Sequence, residues 1–177
     1  MKITSKIGAL FLIIMMITSC DEADELTKLD FKSDFSTTVN VDITDDSDGE
    51  PQNWDETSSA INLASIEEIQ ADLIDDVRIN ALKFEIDNFV GEDNIVVSEA
   101  SISFGATEIS VSNINLQEYD ANNTVSSIGT AAELNAIASA LKITPEIIAR
   151  VKGTISSSPV KFDVIITLDV TTTVDVL

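Results

Sequence analysis

The densest chemical signal in the chain is Asp45-Asp46-Ser47-Asp48-Gly49-Glu50. Calcium takes about six to eight oxygen ligands, and closely spaced carboxylates on a flexible loop supply them. Aligned on an EF-hand loop, Asp46, Asp48 and Gly49 take the third, fifth and sixth places. Thr44 then stands where Asp is required, Asp55 where the bidentate Glu belongs, and Pro51 in the segment that should be extended. The run is therefore not an EF-hand. Two readings stay open: a looser Ca²⁺ loop built on Asp45, Asp46, Asp48 and Glu50, or a solvated acidic connection.

Other candidate chemistry is sparser. Asp75-Asp76 joins Glu67, Glu68 and Asp72 in a second acidic cluster, and simple exposure relieves its repulsion. Ser139-Ala140-Leu141-Lys142 has the S-x-x-K spacing of penicillin-binding enzymes, but the S-D-N and K-T-G partners are absent. Thirty-one acids always yield some pair at glycosidase spacing, so such a pair carries no information. Trp54 is the sole tryptophan. It is either a binding anchor, since Trp is enriched at hot spots, or a cap on the end of the core.

What is missing excludes more. The chain has 177 residues, no histidine and one cysteine. That removes Ser-His-Asp and Cys-His catalysis, His-ligated zinc and internal disulfides. A formal net charge of -21 repels phosphates and excludes nucleic acid as a partner.

The cysteine has a setting of its own. Lys2 and Lys6 form a positive start, Ile7 to Ile17 is uncharged and apolar, and Thr18-Ser19-Cys20 follows. The apolar run suits a signal-peptide core and is too short to span a membrane. This segment resembles a bacterial lipobox, with Ile17 in place of the commoner Leu. The resemblance implies cleavage before Cys20, lipid on its sulfur and an acylated amino group. Several acyl chains anchor stably, at about 0.8 kcal/mol per buried CH₂. Residues 1–19 carry two lysines and no acids, so the mature chain is more acidic still. The lipid must do the anchoring, because no polybasic patch is available.

Asp21, Glu22, Asp24 and Glu25 follow directly. This tract is similar to the acidic export signal of surface lipoproteins in Bacteroidota, which implies the outer face of the outer membrane. In enterobacterial lipoproteins an Asp at the position of Asp21 instead implies inner-membrane retention. A third reading is a solvated, self-repelling tether.

The elements that must position these residues read mostly as strands. Leu29, Phe31, Phe35, Val39, Val41 and Ile43 share one parity, the mark of a half-buried strand or two in succession. Thr44 to Asn53 reads as a loop. Ser65-Ile66-Glu67-Glu68 predicts a short capped helix. Val77 to Phe89 alternates with a parity slip between Ala81 and Leu82, which requires a bulge. Val96, Ala100, Ile102 and Phe104 make the next strand. Ile109, Val111, Ile114 and Leu116 make another, with a slip near Asn113. Thr130-Ala131-Ala132-Glu133 caps a helix whose stripe is Leu134, Ile137, Ala138 and Leu141. Thr144-Pro145-Glu146 predicts a further short helix. Val151 to Ile155 is a strand, and Val160 to Val176 the cleanest of all.

Together these predict a signal peptide over 1–19, an acidic tether over 20–28 and one domain over 29–177. The domain is expected to be an antiparallel β-sandwich, immunoglobulin-like in the loose sense, with a helical insertion near 130–150. The functional expectation is a lipid-anchored, non-enzymatic binding or scaffolding module of the cell envelope. Its partner would be an envelope protein or a glycan, met through Thr44–Ser59 and Asn122–Gly129. The alternatives are an envelope hydrolase using carboxylates or a divalent ion, and a calcium-stabilised adhesion module.

Overall fold

The computed structural model describes residues 27–45, 49–63 and 71–175. Eight strands and two helices follow in order: β1 (Lys28–Ile43), β2 (Gln52–Asn62), β3 (Ile74–Gly91), β4 (Val96–Phe104), β5 (Thr107–Asn115), α1 (Leu116–Ala121), β6 (Val125–Ile128), α2 (Ala131–Ile143), β7 (Glu146–Ile155) and β8 (Val160–Asp175). Every pairing is antiparallel. One sheet has the order β1-β8-β3-β6 and the other β2-β7-β4-β5. The expected antiparallel sandwich is therefore the observed fold. Its strand order is that of a jelly roll, finer than the loose immunoglobulin likeness specified.

The core lies between the sheets. From one come Val39 and Val41 of β1, and Phe162, Val164, Ile166, Leu168 and Val170 of β8. From the other come Ala149, Val151 and Ile155 of β7, with Ile102 and Phe104 of β4. Strands β1 and β2 pack along one side of the sandwich, and α1 and α2 fill the other, against β3 and β5. The capping box of α2 is complete: Thr130 accepts from the Glu133 backbone, and Glu133 accepts from that of Thr130. Ile137, Ala138 and Leu141 are buried beneath it, as the stripe predicts. Among the described residues no helix is long and apolar enough to cross a membrane.

Both parity slips have structural causes. The β3–β8 register shifts between Ile79 and Ala81, so Asn80 is the extra residue and Leu82, Phe84 and Ile86 return to the core. On β5, Asn113 is left-handed at φ 57. Opposite it, β4 shifts register against β7 between Val97 and Glu99. Both strands change inward parity at this one level, which buries Val97 instead of the expected Val96. Asn tolerates the left-handed region better than other non-Gly residues, which is why a single residue makes the bend.

Three expectations are corrected. Residues 52–62 form β2 rather than a continuation of the Thr44–Ser59 loop. Thr144-Pro145-Glu146 starts no helix: Pro145 accepts from the Leu63 backbone, and β7 begins at Glu146. The local helix signal loses to the pairing of residues 146–148 with β2. Within Asn122–Gly129, residues 125–128 pair with β3 as β6. Of the helix predicted from Ser65 through about Leu73, only Ala71–Leu73 is described, as a single 3-10 turn.

Candidate functional site

The register of the β2-β7-β4-β5 sheet builds one open groove on its outer face. Two rows of side chains cross all four strands. The first is Asn53, Thr154, Glu99 and Ser112. The second is Asp55, Lys152, Ser101 and Ser110. Each residue is the cross-strand neighbour of the next. Between them runs the inward row Trp54, Gly153, Ala100 and Val111, which floors a groove of about 770 Å³. That volume falls within the roughly 300–1,000 Å³ of small-molecule sites.

The inward row explains the floor. Gly153 and Ala100 occupy the two central strands and leave little bulk beneath the sheet. The Trp54 indole fills the space. Its Cζ2 lies 3.0 Å from where a Gly153 Cβ would stand, and the Glu99 carbonyl oxygen lies 2.9 Å from the same point. The bend at Ser98 and Asn113 lies one residue beyond the Glu99–Ser112 level.

The charges at the groove are already paired. Arg150 grips Asp55 with both Nε and a terminal nitrogen, its Nε donating at 2.6 Å. Lys152 reaches Glu108 at 3.2 Å. By register this second pair crosses β4 between Ser101 and Ser103. The Arg150 hydrogen bond holds the Asp55 carboxyl below the usual carboxylate range, and the Lys152 ammonium does the same for Glu108. The Ser101 hydroxyl also favours charged Glu108, without full hydrogen-bond geometry to any group. Thr154 donates to Asn53 Oδ1 at 2.7 Å. Glu99 has no ion-pair partner among the described residues.

Among the described residues, two polar atoms at this face lack hydrogen-bond partners. Trp54 Nε1 and Ser101 Oγ are buried with no hydrogen bond, in residues 8% and 4% exposed. Both residues line the groove. An unsatisfied buried donor costs about 1–3 kcal/mol.

The residues singled out from sequence are mostly elsewhere. Asp45 offers its backbone carbonyl to the Ser158 hydroxyl, and Glu50 is exposed. Asp46 and Asp48 lie outside the described residues, as do Cys20, Asp21, Glu22, Asp24 and Glu25. Among the described residues no three acidic or thiol groups gather as metal ligands. Asp75 and Asp76 are answered by Lys28 at 2.8 Å and Lys142 at 3.8 Å. The Ser139 hydroxyl donates back to the Asn135 carbonyl at 2.8 Å, and Lys142 lies at Asp76, so the S-x-x-K letters form no pair. Trp54 is buried inside β2 and contributes to the groove from below. The remaining groove residues carry no local motif, and pairing alone assembles them.

The chain matches no protein-family profile and no curated protein. Among solved structures it is similar to the decameric BFDV capsid protein, at 11% identity and a TM-score of 0.42. The alignment covers 81% of this chain and 99% of that one.

Proposed function

We propose that this protein is a non-enzymatic binding module, anchored to the cell envelope by lipid on Cys20 and displayed at the outer-membrane surface. Its binding face is the groove across β2-β7-β4-β5. The observation that carries the reading is the double row of polar side chains fixed by the register of four paired strands. Groups held on strands are positioned more rigidly than groups on loops, and rigid presentation favours recognition. Anchoring and outward display rest on the lipobox-like order around Cys20 and on the acids that follow it.

Two of the groove carboxylates, Asp55 and Glu108, support binding over hydrolysis. A general acid needs a carboxyl kept protonated near neutral pH. Asp55 and Glu108 are held in the opposite state by Arg150 and Lys152.

The test is protease treatment of intact cells carrying an epitope tag after Leu177, beside a Cys20→Ala variant and a lysed control. Rapid loss of the tag from intact cells, with release of C20A from the membrane fraction, is the expected result. Protection until lysis would overturn surface display. Membrane retention of C20A would overturn the lipid anchor.

A further inference from the structure

Resting on the reading of the groove as a binding face, we infer that its ligand is an uncharged, extended saccharide chain lying across the four strands. The repeat of the site carries the argument. Each strand contributes two polar residues that straddle one inward residue, and neighbouring strands lie about 4.8 Å apart. The pairs are Asn53 and Asp55, Thr154 and Lys152, Glu99 and Ser101, then Ser112 and Ser110. The strand spacing is close to the advance per residue of an extended sugar chain. A chain crossing the strands therefore meets a fresh polar pair at each sugar.

The chemistry of the pairs agrees. Hydroxyl and amide groups both donate to and accept from sugar hydroxyls, and carboxylates accept from them. Asp55 and Glu108 are already bound to Arg150 and Lys152, so a basic ligand finds only Glu99 without an ionic partner among the described residues. An anionic ligand meets a chain of net charge -21. A peptide bound by strand addition needs a free sheet edge, but the groove is centred on β7 and β4, each paired on both sides. Side-chain recognition is what this face offers. The Lys152–Glu108 pair crosses β4 beside Ser101, and both partners are about half exposed. An exposed pair opens at little cost. Opening it uncovers the Ser101 hydroxyl, which makes no hydrogen bond of full geometry among the described residues.

The experiment is native affinity electrophoresis of the mature full chain in a zwitterionic detergent, since glycoside detergents would compete. The gels contain dextran, mannan, galactan or xyloglucan, with polygalacturonate and heparin as charged polymers. Three proteins are run: the unmodified chain, Ser110→Trp to fill the groove, and Thr38→Trp on the outer face of the other sheet. Circular dichroism establishes that both variants are folded. The expected result is retardation by at least one neutral polysaccharide, little changed at about 0.3 M salt. It should weaken by at least about tenfold in S110W and persist in T38W. No retardation by any neutral polymer overturns the proposal. Retardation by charged polymers alone, lost in S110W, overturns the ligand class but leaves the groove as the binding face. Binding that survives S110W overturns the groove itself.

Discussion

Trp54 of β2 and Phe162 of β8 meet edge to face across the two sheets, with ring centroids 5.6 Å apart and planes at 89°. This contact joins the floor of the groove to the opposite wall of the core. The Trp54 ring lies beneath Gly153, and its Nε1 has no hydrogen-bond partner among the described residues. Trp54→Ala should cost about 3–5 kcal/mol in urea unfolding, the range for a large aromatic removed from a core. Trp54→Phe keeps an aromatic edge and deletes the orphan donor, so it should cost only about 1–2 kcal/mol. Equal losses in the two variants would mean that the indole edge under Gly153 carries most of the contact.

Gly153→Ala tests the floor from the other side. The added methyl meets the Glu99 carbonyl, which is backbone held in a sheet, and the Trp54 ring. Neither yields easily, so the substitution should destabilise by about 1–3 kcal/mol, as overpacking does. Combined with W54F the cost should shrink, because the two groups share one space. A double-mutant cycle in urea measures that coupling.

Acid stability follows from four carboxylates. The carboxyl pKa values of Asp55, Asp75, Glu108 and Glu133 are lowered in the folded chain, by Arg150, Lys28, Lys152 and Thr130 respectively. A lowered folded-state pKa gives stability that is fully present above the unfolded value, about 4. It is lost as pH falls through the folded-state values. Thermal melts should therefore drop below about pH 4, and Asp55→Asn should flatten part of that drop. At neutral pH the unbalanced charge repels itself, so added salt should raise the melting temperature. A melting temperature that falls with salt would show that the ion pairs outweigh the net repulsion.

The cap of α2 closes one side of the sandwich. Thr130→Ala removes the hydroxyl that accepts from the Glu133 backbone and donates to its carboxylate, keeps the Thr130 N–H bond to Glu133, and should cost about 1 kcal/mol. Ile137→Ala, directly beneath, should cost about 2–5 kcal/mol. Amide exchange should quicken in α2 of T130A before it quickens in β3, since a cap acts on its own helix.

The strands with clean alternation were legible in the sequence. β1 and β8 show it from end to end, because each buries one face along most of its length. The parity slips at Ala81 and Asn113 were legible as bends, since a strand cannot change its buried face without one. β2 was not. It buries only Trp54 and Ile61 among eleven residues, so an edge strand reads as a polar loop. The start of β7 was hidden by Pro145-Glu146, a sound local helix signal overridden by pairing with β2. Beyond Trp54, the groove left no local trace. Its residues come from four short segments, around 54, 100, 111 and 153, that only the strand order brings together.

The central claim is that the outer face of β2-β7-β4-β5 is where this protein meets its ligand. The most direct measurement places a photo-crosslinking residue at Ser112, and separately at Thr38 on the opposite sheet, in intact cells. The account predicts adducts of envelope material from position 112 and none above background from position 38. Adducts confined to position 38, or equal from both, would contradict it.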